Sequence, residues 1–144
     1  SEEARRALDD ARRASQEAGD EVLSPQHVLL GLIASETRAS RTLVALGVDT
    51  AALWREVDGG LTRVPVRRLA KPPPTPRTRR VLELSREIAE RMHEEAIDSG
   101  HLLLGLLDEG QSVAAEALRA RGVTLELARE KLGGSEDGGP AAGR

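Results

Sequence analysis

The sequence contains no cysteine, no phenylalanine and no tyrosine, and Trp54 is its single aromatic residue. The missing cysteines exclude disulfide bonds and thiolate metal ligands. With so few aromatic side chains, the core has to be built from leucine, valine, isoleucine and alanine, and both alanine and leucine are strong helix formers. Alternating apolar and polar residues, which would indicate strands, are rare. The chain is therefore predicted to be all-α.

Long apolar runs and catalytic motifs are missing as well. The longest apolar runs, Val28–Ala34 and Leu102–Leu107, are far shorter than the ~20 residues that cross a bilayer. The start of the sequence lacks the pattern of a signal peptide, so a cytoplasmic location is expected. No phosphate-binding loop, nucleophile elbow or His-Glu-x-x-His pair occurs. We predict that the chain is not an enzyme and uses no cofactor.

The sequence is an internal repeat. The segment His27–Ile33 (HVLLGLI) reappears 74 residues later as His101–Leu107 (HLLLGLL), and ten residues are identical between 1–33 and 75–107. After one added residue, the Leu-Gly-Val of copy one aligns with the Arg-Gly-Val of copy two. Repeats of this kind indicate a duplicated structural unit. We assign residues 1–60 to the first copy, 61–74 to a proline- and arginine-rich connector, 75–132 to the second copy and 133–144 to a disordered tail.

Each copy is predicted to form four helices, so that two pseudo-symmetric units pack as one domain. The first helix should run from about Glu2 to Ala18, with Ser1 as its N-cap and a glycine at its end. In the second copy, Thr75 and the proline after it give the same kind of start. The second helix of each copy is apolar nearly all round, which places it at the centre. Gly31 and Gly105 inside these helices predict close helix crossings.

The two copies of the His-apolar-Leu-Leu-Gly-Leu motif, together with the connector that closes in Pro-x-Thr-Pro-Arg, resemble the double N-terminal repeat of ClpA- and ClpC-type unfoldases. The resemblance covers roughly residues 1–132. It implies two four-helix lobes that receive protein substrates and adaptor proteins for an ATP-driven ring. The expected function is therefore non-catalytic protein binding.

The same resemblance suggests which residues bind. ClpC-type members carry two glutamates and two threonines that help to bind phosphorylated arginine, and the matching positions here are Gln26, Gly100, Ser1 and Thr75. Losing both glutamates removes the charge-assisted acceptors for a guanidinium group and argues against phosphoarginine recognition. With Arg5 and Arg79, these residues are the predicted substrate- or adaptor-binding set. The contact surface is expected where the first helices of the two copies approach each other.

The histidines and the tryptophan have alternative interpretations. His27 and His101 are expected to pack and bond a nearby backbone group rather than act as ligands or pH switches. No paired carboxylates or cysteines stand beside them at metal-ligand spacing, so no metal site is expected. His93, at a helix end, is expected to be solvated. Trp54 is expected to cover its helix against the core rather than to anchor a partner.

A basic window lies between the copies. No acidic residue occurs between Gly59 and Leu82, whereas seven lysines and arginines do. This window is interpreted as a solvated connector or as a docking strip for an acidic partner. Nucleic-acid binding is a weaker alternative, because stacking aromatics are absent and the net charge is −3. Another alternative is a stand-alone regulatory or decoy protein that binds a small molecule or peptide directed at an unfoldase.

Overall fold

A computed structural model describes residues 1–20, 22–61 and 72–133. They form eight α-helices: α1 (Glu2–Ala18), α2 (Pro25–Ile33), α3 (Arg38–Ala45), α4 (Thr50–Gly59), α5 (Pro76–Arg91), α6 (Ser99–Glu109), α7 (Val113–Ala120) and α8 (Leu125–Gly133). The only β-structure among these residues is an isolated bridge between Leu23 and Pro74. The all-α prediction is confirmed.

The two copies pack around each other with twofold pseudo-symmetry. Helix α1 packs along α2, and α5 packs along α6 in the same way. The central helices α2 and α6 contact each other, while α3 lies against α6 and its counterpart α7 lies against α2. Because each copy covers the other's central helix, the eight helices share one core. The prediction of two four-helix units in one domain is confirmed.

The core is almost purely aliphatic. Helices α2 and α6 are buried along nearly their whole length, and leucines supply most of the largest fully buried side chains. Trp54 is partly buried and packs against the edge of this core. A helix without a polar face is stable only when it is surrounded by other helices. The composition therefore explains why α2 and α6 lie in the middle and the amphipathic α1 and α5 lie outside.

Close helix crossings explain the two glycines inside the central helices. A Cβ atom at Gly31 would overlap the carbonyl oxygen of Ala7 on α1. A Cβ atom at Gly105 would lie 2.7 Å from the carbonyl oxygen of Val81 on α5. These are backbone atoms, which cannot swing away as a flexible side chain could. The predicted close crossings are confirmed in both copies.

The helix ends follow the predicted signals, with one difference between the copies. Ser1 and Thr75 cap α1 and α5, each accepting a hydrogen bond from a backbone nitrogen in the first turn. After α1, Gly19 adopts a left-handed conformation with φ 77°. The equivalent residue after α5 is His93, which is exposed and also left-handed, with φ 61°. A histidine in this region is strained where a glycine is not.

Part of the predicted organisation lies outside the described residues. Residues 62–71 hold most of the predicted connector and of the basic window, and 134–144 hold nearly all of the predicted tail. The end of the connector lies within the described residues. There the backbone nitrogen of Leu23 donates to the carbonyl oxygen of Pro73 at 2.8 Å. Among the helices that the structure describes, none is both long and apolar enough to cross a membrane.

Candidate protein-binding site

The first helices of the two copies begin at equivalent places, each beside the other copy. The backbone nitrogen of Ser1 donates to the carbonyl oxygen of Ile97 at 2.9 Å, just before α6. The backbone nitrogen of Thr75 donates to the carbonyl oxygen of Leu23 at 3.0 Å, just before α2. The pseudo-symmetry thus places Ser1 near the start of α6 and Thr75 near the start of α2.

Arg5 and Arg79 occupy equivalent exposed positions one turn into these helices. Arg5 donates to a carboxylate oxygen of Glu2 at 3.1 Å, and Arg79 donates to the carbonyl oxygen of Pro74 at 3.0 Å. Each arginine therefore stays close to its own helix start and remains available to solvent. Exposed guanidinium groups of this kind can bind carboxylates or peptide carbonyls of a partner.

The expected approach of the two first helices is wrong. No Cα atom of α1 lies within 8 Å of a Cα atom of α5. Instead, α1 contacts α6 and α5 contacts α2. The two buried helices occupy the centre and keep the amphipathic first helices apart. No contact between α1 and α5 therefore brings Ser1 and Arg5 together with Thr75 and Arg79.

The two positions that replace the family's glutamates differ in their surroundings. Gln26, the second residue of α2, is half-buried. Gly100, the second residue of α6, is buried, and a Cβ atom there would lie 2.7 Å from Leu132 Cδ2 and 3.4 Å from Arg38 Cδ. A longer side chain at Gly100 would have to displace Leu132. The first copy thus has room for a polar side chain at Gln26, whereas in the second copy Leu132 and Arg38 cover the space at Gly100.

Arg38 fills the space beside Gly100 with a guanidinium group from the first copy. Its Nη1 lies 2.6 Å from Asp98 Oδ2 and 3.2 Å from Glu94 Oε1, and its Nη2 donates to the carbonyl oxygen of Leu132 at 3.0 Å. Burial lowers the pKa of Arg38, but the hydrogen bonds and charges of Asp98 and Glu94 outweigh it and raise the pKa above its ordinary value. The carboxylates next to Gly100 therefore already hold a guanidinium group.

Glu3 extends this network to α1. One carboxylate oxygen of Glu3 accepts from the backbone nitrogen of Arg38 and the other from the hydroxyl of Ser99, both at 2.8 Å. The Ser99 hydroxyl in turn accepts from the backbone nitrogen of Ala39 at 3.0 Å. Charge-assisted bonds of this kind are strong when partly buried. They fix the position of α3 of one copy on α6 of the other.

His27 forms a chain of contacts with Ser24 and Asp20 that has the composition of a hydrolase triad. His27 Nδ1 accepts from the backbone nitrogen of Ser24 at 2.9 Å and also lies 2.8 Å from Ser24 Oγ, while Nε2 lies 2.7 Å from Asp20 Oδ2. The backbone bond assigns the ring proton to Nε2, which donates it to Asp20. The Nδ1 lone pair thus stabilises the helix start instead of serving as a base for the serine.

This arrangement confirms the prediction that His27 packs and bonds a backbone group. Burial lowers the pKa of His27, although the hydrogen bond and charge of Asp20 act in the opposite direction. The residue therefore prefers to be neutral inside the folded protein. Its counterpart His101 accepts from the backbone nitrogen of Asp98 at 2.9 Å, which is the same capping contact.

The expectation that no carboxylates stand beside the histidines is wrong. Glu94, Asp98 and His101 each place a potential ligand atom within 4.8 Å of the others. These carboxylates precede the histidine by seven and three residues, and the turn after α5 folds them back onto the ring. The Asp98 backbone bond leaves the proton on His101 Nε2, and Arg38 already bonds both carboxylates. The geometry therefore favours a guanidinium group over a metal ion.

Three residues of this network, Arg38, Glu3 and Ser99, are not predicted from the sequence. These residues come together only after the two copies have folded against each other, so their spacing along the chain carries no signal. One weak signal exists, because the position equivalent to Arg38 in the second copy is Val113. A charged residue that the duplication does not repeat indicates a role specific to one copy.

Comparison with known proteins agrees with this architecture. The family model described as the Clp repeat (R) N-terminal domain matches residues 1–121 and 75–140. The negative regulator of genetic competence ClpC/MecB of Bacillus subtilis is 34% identical over 99% of the chain, and the chloroplastic chaperone protein ClpC1 of Arabidopsis thaliana is 38% identical over 81% of it. The crystal structure of the Hsp104 N-terminal domain from Candida albicans superimposes with a TM-score of 0.72 at 16% identity, covering 88% of this chain and 84% of that one.

The chain spans only a small part of its curated relatives. It corresponds to 18% of the length of the Bacillus subtilis protein and to 12% of the Arabidopsis protein. The match of the family model covers both copies, and the fold agrees with that of an Hsp104 N-terminal domain. The chain belongs to the Clp repeat N-terminal domain family.

Proposed function

We propose that this chain is a non-catalytic docking domain that binds protein substrates or adaptor proteins for a Clp-type ATP-dependent unfoldase, and that it does so in the cytoplasm. The observation that carries the proposal is the family match across both copies. The relatives are named as chaperones or as a regulator of the Clp type. A domain that spans a small fraction of such proteins suits the role of a receptor for polypeptides.

The surfaces around Ser1 and Thr75 support this proposal physically. Each combines an exposed arginine, Arg5 or Arg79, with the polar start of a helix beside the other copy. Guanidinium groups pair with carboxylates and carbonyl oxygens of a bound polypeptide. The half-buried amide of Gln26 adds a neutral donor and acceptor near Thr75. We expect this neutral amide to bind the partner at the position where ClpC-type members carry a glutamate.

A stand-alone regulatory or decoy protein is the second candidate. Arg38 supports it, since this guanidinium group already occupies the carboxylates beside Gly100. A surface closed in this way would bind a different ligand from that of ClpC-type relatives. The length of the open reading frame separates the two candidates, because a downstream phosphate-binding loop supports the docking domain and a short reading frame supports the regulator.

Binding to a permanently unfolded protein tests the proposal. The chain is titrated into fluorescently labelled, reduced and carboxymethylated α-lactalbumin, and anisotropy is measured. We expect saturable binding that the double substitution Arg5→Glu and Arg79→Glu weakens at least tenfold. Arg13→Glu on α1 is the matched control, since Arg13 is equally exposed but lies two turns further along the helix. Absence of binding by the unmodified chain, both to this protein and to Clp adaptors, would refute the docking function.

A further inference from the structure

An open groove lies on the first copy, away from the surfaces described above. It has a volume of about 510 Å³ and is bounded by the end of α2, by α3 and by the start of α4. It continues along α4 past Trp54. The apolar side chains of Ile33 and Val44 line it, and Val44 is 59% exposed. Gln26 lies at the opposite end of α2, about 10 Å away at 1.5 Å per residue.

The second copy does not repeat the apolar character of this groove. Three of its equivalent positions, 75 residues further on, carry charges: Arg119 for Val44, Glu126 for Ala51 and Arg129 for Trp54. Helices α7 and α8 form with these charges in place just as α3 and α4 form without them. The fold therefore does not require an apolar side chain at the exposed position of Val44. An exposed apolar surface that folding does not require indicates an interaction site.

The edges of the groove also reverse their charge between the copies. Arg41 and Arg55 line the groove of the first copy, where the second copy has Glu116 and Glu130. Both arginines are exposed. Arg41 lies 3.9 Å from Glu36, which also lines the groove, and Arg55 makes no ion pair with the residues that the structure describes. The groove thus carries an apolar stripe of Ile33, Val44 and Trp54 among polar side chains, with one guanidinium group from α3 and another from α4 beside it.

We propose that this groove binds an amphipathic helical segment of a protein partner, with large apolar side chains on one face and carboxylates at its edges. Apolar side chains would lie against Val44 and Trp54, and carboxylates would pair with Arg41 and Arg55. In the second copy the apolar positions carry charged side chains and the edge positions are Glu116 and Glu130, so the duplicated domain binds this ligand on one side only. This inference rests on the docking function proposed above and names one surface and one partner class for it.

Trp54 reports on the groove directly, because it is the only aromatic residue in the chain. Three synthetic 14-residue peptides are titrated while the Trp54 emission is recorded. The first has a leucine face flanked by glutamates, and the second has the same face flanked by lysines. The third contains the residues of the first in scrambled order. The glutamate peptide is expected to shift the emission to shorter wavelength and to bind at least ten times more tightly than the lysine peptide. The scrambled peptide is expected to cause no shift.

Substitutions taken from the second copy test the assignment. Val44→Arg introduces the residue that α7 carries at this position and should weaken binding of the glutamate peptide at least tenfold. Val113→Arg is the matched control, since Val113 is 57% exposed and lies on the other copy. It should leave binding unchanged. The double substitution Arg41→Glu and Arg55→Glu should make the lysine peptide the tighter ligand. Circular dichroism verifies that each variant is folded.

Several results would overturn the inference. These are equal affinity for the glutamate and lysine peptides, no change in Trp54 emission with any peptide, and unchanged binding by Val44→Arg. A concentration-dependent dimer that Val44→Arg abolishes would show that the groove covers a second copy instead. The titration with unfolded α-lactalbumin distinguishes the two proposals. If the peptides fail and that binding persists, the docking function stands without this groove. If the peptides, the unfolded protein and Clp adaptors all fail to bind, the docking function itself is refuted.

Discussion

Replacing Arg38 by alanine should destabilise the protein more than any other single arginine substitution on α3. The Arg38 guanidinium joins the first copy to the second through Asp98, Glu94 and the last turn of α8. Alanine removes all three contacts and leaves two carboxylates facing each other beside His101. The substitution therefore tests whether the two copies are held together by this polar network as well as by the aliphatic core.

The magnitude follows from the burial of the partners. A hydrogen bond to a charged group contributes about 1.5–3 kcal/mol, and removing one partner of a buried ion pair costs about 3–5 kcal/mol. Solvent screens part of this, since the side chains of Arg38, Asp98 and Glu94 are 26%, 19% and 31% exposed. We expect a loss of about 2–3 kcal/mol in the free energy of unfolding, well below the full buried value.

Urea unfolding followed by circular dichroism at 222 nm measures this loss. Arg41→Ala is the matched control, because Arg41 lies one turn away on α3, has a 57% exposed side chain and faces only a distant carboxylate. It should change stability by less than about 0.5 kcal/mol. A loss for Arg38→Ala that equals that of the control would refute the idea that the network stabilises the packing of the copies.

Three further predictions concern the backbone and pH. His93→Gly should raise the free energy of unfolding by about 0.5–1 kcal/mol in urea unfolding, since glycine relieves the left-handed strain but adds entropy to the unfolded chain; a lower stability would contradict this. Gly31→Ala should cost at least about 2 kcal/mol because its Cβ atom would overlap the backbone of α1, whereas Gly59→Ala, with open space around it, should be neutral or stabilising. Because burial lowers the pKa of His27, the unfolded state binds its proton first, so stability should fall as the pH drops below about 6.5. His27→Gln should reduce that slope between pH 7.5 and 5.5, and an unchanged slope would exclude this residue as its cause.

Much of the fold follows from local sequence signals. Helix α1 begins and ends where its capping serine and terminal glycine place it, because those residues satisfy backbone groups within a few positions. The glycines of α2 and α6 predicted close crossings, because a glycine inside a buried helix needs a packing reason. The repeat itself predicted that both copies share one arrangement. These features depend on neighbours in sequence or on the duplication.

The polar contacts between the copies could not be predicted in the same way. Glu3, Arg38 and Glu94 are distant in sequence and meet because α3 of one copy lies on α6 of the other. The expected approach of α1 and α5 was wrong for a related reason, since sequence periodicity identifies a buried face but not the helix that covers it. The binding set of Ser1, Gln26, Thr75 and their neighbours stays a prediction.

Domain boundaries also stay a prediction, because residues 62–71 and 134–144 lie outside the part of the chain that is described. Differences between the two copies indicate which positions belong to the core and which to the surface. Positions that are apolar in both, such as Leu43 and Leu118, are buried core. Val44, which is exposed and is apolar in one copy only, lies where the copies differ on the surface and not in the core.

The most direct test of the docking function is substrate processing by a chimeric unfoldase. The N-terminal part of Bacillus subtilis ClpC/MecB is replaced by this chain, and ATP-dependent degradation of unfolded casein by the assembled protease is measured beside a variant that lacks the domain. We expect the chimera to restore degradation and Arg5→Glu with Arg79→Glu to remove this restoration. A chimera that degrades casein no faster than the variant without the domain would contradict it.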